Sequence, residues 1–184
     1  MSLYSERVES KVIDINGNEL STDAKGNPYV AETVNIQKNS KLDAKDRAYP
    51  VFMFKDAQGE VEAYVFPTFG AGLWDWISSY VAFGKDLNTV KGIAFDHKGE
   101  TPGLGARITE TEVQNRFIGK EIFDKQGQLV SIDMVKGEGK TGLSVHEVDG
   151  LSGATMTTKG VNAMLEKYLE CYSAFIKKTK SQNS

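Results

Sequence analysis

The sequence predicts an α+β fold, a single domain in which a twisted, largely antiparallel sheet is packed by helices. Two β-rich runs flank the turn "DAQG" within residues 49–68, as in a β-hairpin. An apolar stripe with three- and four-residue spacing crosses residues 161–176, as in a core helix. Strand-like and helix-like stretches alternate irregularly rather than as βαβα. The length of 184 residues suits one domain with a sizeable core.

The strands are predicted by their β-branched and aromatic residues. The run "KVIDINGNEL" (11–20) predicts a strand and a turn. The hairpin over 49–68 has Gly59 at its turn, where glycine supplies conformational freedom. Two further strands and a short one are predicted at 90–97, 127–137 and 143–150.

Two helices are predicted. The run "TETEVQNRFIGK" (109–120) has acidic residues in its first turn, which suits the helix dipole. The second helix is the stronger prediction, and its apolar stripe indicates core packing. Residues 181–184 are predicted to form a disordered, solvated tail. The stripe consists of Val161, Met164, Leu165, Tyr168, Leu169, Tyr172, Phe175 and Ile176.

Composition excludes several classes of protein. The net charge is −3 and the basic residues are scattered, so the chain has no nucleic-acid footprint. The single Cys171 cannot form an internal disulfide, and with only His97 and His146 it gives no Cys/His metal cluster. No apolar run of about 18 residues is present, which predicts a soluble chain. The opening "MSL" is interpreted as a cloning remnant joined to a trimmed protein.

Three glycine-rich segments are candidates for ligand binding. "KGEGKTG" lacks the first glycine of a phosphate-binding loop, because that position is Met134. "FGAGLWDW" lacks the third glycine of a dinucleotide-binding motif, because that position is Asp75. "GETPGLGAR" (99–107) has three glycines and a proline in nine residues, so its backbone can approach a flat ligand. Composition alone favours an ordinary turn there.

The stretch "DGLSGATMTTKG" (149–160) places four hydroxyl side chains at the start of the core helix. They fit helix capping, although no Glu or Gln follows any of the threonines by three residues to complete a capping box. They equally fit a phosphate site, because free amides and the dipole at a helix start favour an anion. The four residues are Ser152, Thr155, Thr157 and Thr158.

Three separated stretches together resemble a known family. "DGLSGAT" (149–155), followed by Thr157, resembles the attachment motif of proteins that carry FMN through a phosphodiester to the last threonine. "GETPGLGA" resembles the partner loop of the same domain. "GLWDW" (72–76) resembles the corresponding segment in the C-subunit family of sodium-translocating NADH:quinone oxidoreductases. The G-subunit family of Rnf complexes is similar at the first two stretches and is distinguished mainly at "GLW".

The resemblance covers about residues 45–180, which are assigned to an FMN-binding domain. Residues 1–44 are assigned to an N-terminal segment and first strand that follow a removed membrane anchor. The family implies that a flavin transferase, using FAD and Mg²⁺, passes the FMN phosphoryl group to the Thr155 hydroxyl and releases AMP. Gly153 and Ala154 would keep that approach open, and no catalytic residue or metal ligand is assigned to the chain itself.

The resemblance also implies how each part of the flavin is bound. Ser152 and Thr157 would bind the phosphate at the helix start. The "GETPGLGAR" loop (99–107) would lie near the isoalloxazine, with Leu104 on the face of the ring and Trp74 beside it. The remaining ring-side residues are Glu100, Thr101 and Gly105.

The family implies a one-electron relay on the periplasmic face of a bacterial inner membrane, within a complex that oxidises NADH, reduces ubiquinone and exports Na⁺. Its partners would be the other redox and membrane subunits, with the flavin transferase acting during maturation and an N-terminal helix as membrane anchor. FMN is expected to be absent from material made without the transferase. The alternatives are an Rnf G subunit, a non-redox interaction domain, and a free-standing oxidoreductase with exchangeable FMN.

Overall fold

The central feature of the computed structural model, which describes residues 6–182, is a five-stranded antiparallel sheet. Each strand lies beside its neighbour in sequence, so the sheet is a meander. This arrangement confirms the predicted α+β class. The strands are β1 (Val8–Ile13), β2 (Tyr49–Lys55), β3 (Val61–Ala71), β4 (Trp76–Gly84) and β5 (Val90–His97).

The predicted hairpin over 49–68 is β2 and β3, joined at the "DAQG" turn. Gly59 has a φ of 86°, and the Asp56 carboxylate accepts hydrogen bonds from the amides of Gln58 (2.9 Å) and Glu60 (3.0 Å). The same carboxylate-to-amide bonds and a positive-φ glycine recur in three other turns with the pattern D-x-x-G. Those turns begin at Asp14, Asp23 and Asp124.

Two short helices, α1 (Ile36–Asn39) and α2 (Thr111–Asn115), precede the long helix α3 (Thr155–Gln182). All eight residues of the predicted apolar stripe are buried, because α3 packs along the sheet. Tyr172 stacks on Phe66, with ring centroids 4.5 Å apart and planes 11° apart. Its hydroxyl donates to the carbonyl of Pro50 at 2.9 Å.

The helix α3 continues through Gln182, two residues into the segment predicted to be a disordered tail. Residues 183 and 184 lie outside the described residues, as does the opening "MSL". Within residues 6–182, no helix combines the length and apolar character that crossing a bilayer requires.

The strand β4 is not predicted by the sequence analysis, although it directly follows the turn that carries Trp74. Its buried side chains alternate along the strand, as expected for one face packed on the core. Two buried residues of the strand, Ser79 and Gly84, are polar or small, and the glycine-rich stretch before the strand resembles a loop. The buried alternating residues are Ile77, Ser79, Val81 and Phe83.

The predicted strand over 127–137 is largely wrong. Only Asp133–Met134 form a strand, β6, which pairs in parallel with β7 (Glu147–Val148). Ser131 has a φ of 61°, and the amides of Val130 and Ser131 both donate to the carbonyl of Ile122, at 2.8 and 3.2 Å. Two amides on one acceptor interrupt the ladder, as in a bulge, and end the extended run.

The predicted helix over 109–120 is shortened to α2 and its flanking turns. Gly119 has a φ of 79°, and its amide donates to the carbonyl of Val90 at 2.8 Å. The amide of Val90 in turn donates to the carbonyl of Lys120 at 2.8 Å. These bonds return the chain to β5 and end the helical stretch.

Candidate functional site

A buried carboxylate joins the three segments that carry the family resemblance. Glu100 is only 4% exposed and lies where the β3–β4 turn and the loop after β5 meet the start of α3. Its Oε1 accepts a hydrogen bond from the backbone amide of Trp74 at 3.0 Å. Its Oε2 accepts one from the hydroxyl of Thr157. Glu100 therefore fixes the relative positions of the "GLW" turn, its own loop and the helix.

Two glycines leave the space that this carboxylate occupies. A Cβ on Gly72 would lie 2.5 Å from Glu100 Oε1, and one on Gly105 would lie 2.7 Å from Glu100 Oε2. Neither glycine has a positive φ, so the need is for space rather than for backbone freedom. The space that Glu100 needs therefore explains Gly72 in "GLW" and Gly105, the second glycine of "GLG".

Exposed apolar side chains lie beside this buried centre. Trp74 is 69% exposed, and its indole N–H donates to the Thr101 hydroxyl at 3.1 Å, which holds the ring against the loop. Leu104 is 40% exposed, and its Cδ2 lies 2.8 Å from the position of a Cβ on Gly153. The loop of residues 99–107 and the "SGAT" segment therefore lie close together.

The start of α3 presents a partly exposed hydroxyl, that of Thr155. Thr155 is the first helical residue and is partly exposed. Within residues 6–182, its hydroxyl and that of the exposed Ser152 make no hydrogen bond, and the amides of Thr155, Met156 and Thr157 have no acceptor. No hydroxyl caps this helix start among the described residues, which leaves its amides free to bind an anion.

Thr157 has a different environment from its neighbours. It is 1% exposed, and its hydroxyl proton is used in the bond to Glu100. The hydroxyl of the buried Thr158 has no hydrogen-bond partner within the described residues. Gly153, with a φ of 75°, and the buried Ala154 complete the turn into the helix.

A charged cluster that the sequence analysis did not predict lies next to the site. The Glu138 carboxylate accepts from both Nη atoms of Arg107 (2.9 and 3.0 Å) and from Nη2 of Arg116 (2.8 Å). Hydrogen bonds from Arg107 first, and then from Arg116, lower the pKa of Glu138 to about 2. Arg116 also donates to the carbonyls of Gly150 (2.7 Å) and Asp149 (3.2 Å). Arg107, Arg116 and Glu138 are called the Arg–Glu cluster below.

The structure brings all ten predicted site residues to one region. The sequence analysis did not predict the Arg–Glu cluster. It considered the "KGEGKTG" stretch, which contains Glu138, only as a phosphate-binding loop, and the stretch does not match that motif. Among residues 6–182, no group of three or more His, Cys, Asp or Glu side chains is arranged to hold a metal ion. The predicted residues are Trp74, Glu100, Thr101, Leu104, Gly105, Ser152, Gly153, Ala154, Thr155 and Thr157.

Comparisons with known proteins match the part of the chain that contains these site residues. Residues 72–170 match the FMN-binding domain family. The chain is 34% identical over 190 residues to the C subunit of the Na⁺-translocating NADH-quinone reductase of Neisseria meningitidis serogroup B, covering 97% of this chain and 72% of that protein.

Two solved structures have the same fold. The structure of the corresponding C subunit from Parabacteroides distasonis gives a TM-score of 0.77 at 35% identity, covering 94% of this chain and 80% of that one. The NqrC structure from Shewanella oneidensis gives 0.79 at 30% identity, covering 97% of this chain and 87% of that one.

The fold and the matched range define the class of protein: the chain belongs to the FMN-binding domain family. More particularly, it belongs with the C subunits of Na⁺-translocating NADH-quinone reductases, as the "GLW" stretch predicts.

Proposed function

We propose that this chain is the electron-transfer subunit of a sodium-pumping NADH:quinone oxidoreductase and carries FMN through a phosphodiester to Thr155. The observation that carries the proposal is the partly exposed Thr155 hydroxyl, without a hydrogen bond among residues 6–182, at the start of α3. It shares a region with two exposed apolar side chains, Trp74 and Leu104, on the segments that contact it.

The residues fit FMN at both ends of the molecule. At the phosphate end, the free amides of the first helical turn and the helix dipole favour a negative charge. Ser152 adds an exposed hydroxyl that can donate to the phosphate. At the ring end, Trp74 and Leu104 offer apolar surface to an aromatic ring. Thr157 contributes its amide, because its hydroxyl already donates to Glu100.

Thr155 acts as an acceptor in the attachment step rather than as a catalyst. A bond forms between its Oγ and the flavin phosphorus of FAD, the phosphoanhydride bond breaks, AMP leaves, and the hydroxyl proton is released. The transferase supplies the base and the metal ion, so this chain needs neither. FMN, when bound, supplies one-electron transfer. Glu100 keeps Trp74 and the helix start in place around it.

The proposal extends to partners and location. The relatives are named as subunits of a Na⁺-translocating reductase, which supports other subunits of such a complex as partners of this chain. We place the domain of residues 45–180 on the periplasmic face of a bacterial inner membrane, anchored by an N-terminal helix as in the family. A flavin transferase is its partner during maturation.

The test is to substitute the acceptor. Thr155→Ala, with Ser152→Ala and Thr157→Ala as matched controls, is co-expressed with the transferase, and the denatured protein is weighed. We expect Thr155→Ala alone to lose the FMN adduct completely, because alanine has no oxygen to form the phosphodiester.

Thr155→Ala should remain folded in the same experiment. Loss of a hydroxyl at a helix start costs at most about 2 kcal/mol. A domain of this kind is typically stable by roughly 5 to 15 kcal/mol. Thermal unfolding checks this point. Retention of the adduct by Thr155→Ala, or its loss only in Thr157→Ala, would contradict the proposal.

A further inference from the structure

We infer that Glu138 is a positioning residue: through Arg107 and Arg116 it fixes the ring-side loop against the acceptor loop, and so holds the flavin ring in place. The ring-side loop is residues 99–107 and the acceptor loop is residues 149–154. This inference rests on the proposed function and concerns the flavin after attachment.

The hydrogen bonds form a continuous connection between the two loops. Arg107 is the last residue of the ring-side loop, and its guanidinium makes two parallel bonds to Glu138, the geometry that fixes a carboxylate most firmly. Glu138 also accepts from Arg116, which donates to the carbonyls of Asp149 and Gly150 in the acceptor loop. Displacing Glu138 would therefore remove the polar connection between Arg107 and the acceptor loop, and leave the apolar contact of Leu104 with Gly153.

The loop that carries Glu138 is itself attached to the acceptor loop. The Asp149 carboxylate accepts from the amides of Gly139 (2.7 Å) and Lys140 (3.0 Å). A Cβ on Gly150 would lie 2.8 Å from the carbonyl oxygen of Gly137, so the two backbones are in close contact. Glu138 thus projects from a fixed backbone, which makes its position well defined.

The charges decide what the Arg–Glu cluster can do. Its two arginines are balanced by Glu138 and Asp149 and, at the exposed edge, by Glu110, 3.2 Å from Arg107, and Glu112, 2.9 Å from Arg116. The group has no excess of positive charge. A role in attracting the FMN phosphate is therefore disfavoured, and a role in holding two loops together remains.

The two loops have different parts in the proposed site. The acceptor hydroxyl belongs to the start of α3 and is partly exposed, so the transferase can reach it without the ring-side loop. The ring, in contrast, would contact Leu104 of the ring-side loop, while its phosphate would be linked to the start of α3. Loss of the cluster should leave attachment intact and loosen the ring.

The experiment uses the full chain, co-expressed with the flavin transferase and purified with its covalent FMN. Glu138→Gln keeps the shape of the side chain and removes its charge. Arg107→Lys keeps the charge and removes the two parallel hydrogen bonds to Glu138. It tests the same connection if Glu138→Gln folds poorly. Glu110→Gln is the matched control, because Glu110 contacts the same arginine from the exposed side and makes no bond to Arg116.

Four properties are measured well below the unfolding temperature: the denatured mass, flavin fluorescence anisotropy, quenching by acrylamide, and the reduction potential. Acrylamide is neutral, so its access does not depend on the altered charge. We expect Glu138→Gln and Arg107→Lys to keep the adduct, with lower anisotropy, a higher quenching constant and a shifted potential. Glu110→Gln should match the unsubstituted protein.

The outcomes separate this inference from the proposed function. If the unsubstituted chain gains no FMN, the proposed function fails. If it is labelled but Glu138→Gln and Arg107→Lys give unchanged anisotropy, quenching and potential, the positioning role is overturned. Loss of the adduct in folded Glu138→Gln would also overturn it, since the cluster would then act on attachment.

Discussion

Glu138 and Glu100 are two carboxylates of one site with different surroundings. Glu100 is buried and accepts from neutral donors, an amide and a hydroxyl. Glu138 is partly exposed and accepts from two guanidinium groups, which stabilise its charged form. The first carboxylate organises the backbone around it, whereas the second depends on charge for its connections. Their responses to substitution should therefore differ.

The Arg–Glu cluster makes stability depend on pH. The pKa of Glu138 is about 2 in the folded protein against an ordinary value of 4.5, so its ionised form contributes stability above about pH 4.5 that is lost as the pH falls towards 2. We expect the difference in unfolding temperature between the unsubstituted protein and Glu138→Gln to shrink over that range.

Thermal unfolding at a series of pH values checks this prediction. Because the Glu138 side chain is 24% exposed, added salt should reduce the difference as well. The charged groups that face Glu138 directly, Arg107 and Arg116, keep their charge throughout the range. A difference that stays constant from neutral pH to pH 3 would contradict the assignment.

The apolar side chains of the ring side should affect the flavin and leave its attachment intact. Trp74→Ala and Leu104→Ala remove surface that we propose to lie beside the ring, and an aromatic contact is worth about 0.5 to 1.5 kcal/mol beyond area burial. We expect a normal adduct mass with altered flavin fluorescence or potential. Leu73→Ala is the control, since Leu73 is an exposed neighbour of Trp74. Loss of the adduct from both folded variants would show that these residues do not lie on the ring side.

Gly105 tests the space around Glu100. A Cβ there would overlap Glu100 Oε2 and the Thr157 hydroxyl, so Gly105→Ala should destabilise the fold by about 1 to 3 kcal/mol, as overpacking does. Gly92 has open space and no positive φ, and Gly92→Ala should cause little change. Denaturant unfolding compares the two. Equal stability of both variants would show that the carboxylate can move at low cost.

The recurring D-x-x-G turns show how a local rule positions the chain. In each turn, an aspartate side chain binds two amides and a glycine supplies the left-handed residue. One of these turns joins β2 to β3, and the turn at Asp124 joins the extended segments around Phe123 and Leu129. Such turns are readable from sequence, because their determinants are four or five residues long.

The turn at Asp124 gives a test of this rule. Asp124→Ala removes two side-chain hydrogen bonds, at 2.8 and 2.9 Å, and should lower the free energy of unfolding by about 1 to 2 kcal/mol. Asp124→Asn keeps an acceptor oxygen and should lose less. Lys125→Ala, in the same turn, controls for surface substitution. If Asp124→Ala and Lys125→Ala are equally stable, the carboxylate bonds contribute little.

Prediction from sequence succeeded where the determinants are local or periodic. The residues from Val161 to Ile176 give the core helix directly, and "DAQG" gives the hairpin. It failed at β4, where Ser79 is buried through a bond to Thr68 that only the paired strand supplies. The ten candidate site residues depended on three motifs in order. Glu138 is 31 residues from Arg107, and no local pattern indicates that ion pair.

In the molecule as a whole, the core and the candidate site use different parts of the same helix. The length of α3 packs on the sheet through its apolar stripe, and only its first turn contributes to the site. The core therefore does not require the flavin. Tyr172 and Phe66, which stack at its centre, lie in the sheet and helix rather than in the site loops.

This separation predicts that the protein folds without its cofactor. Material made in a cytosol with no active flavin transferase should be colourless, with cooperative unfolding and the secondary structure described here. Visible absorbance of the denatured protein and circular dichroism check both points. A covalent flavin adduct in material produced without any transferase gene would contradict this expectation.

The meander has a kinetic consequence. The strands β2 to β5 follow one another closely in sequence, so this part of the sheet can form by short loop closures, whereas residues 14–48 separate β1 from β2. Tyr172 reaches Pro67 across 105 residues and Thr157 reaches Glu100 across 57. We expect β2 to β5 to be largely formed in the folding transition state and the first turn of α3 to join later, with low φ-values there. Substitutions in the site should then accelerate unfolding and leave the folding rate nearly unchanged, so the site governs the lifetime of the native state rather than how quickly it is reached.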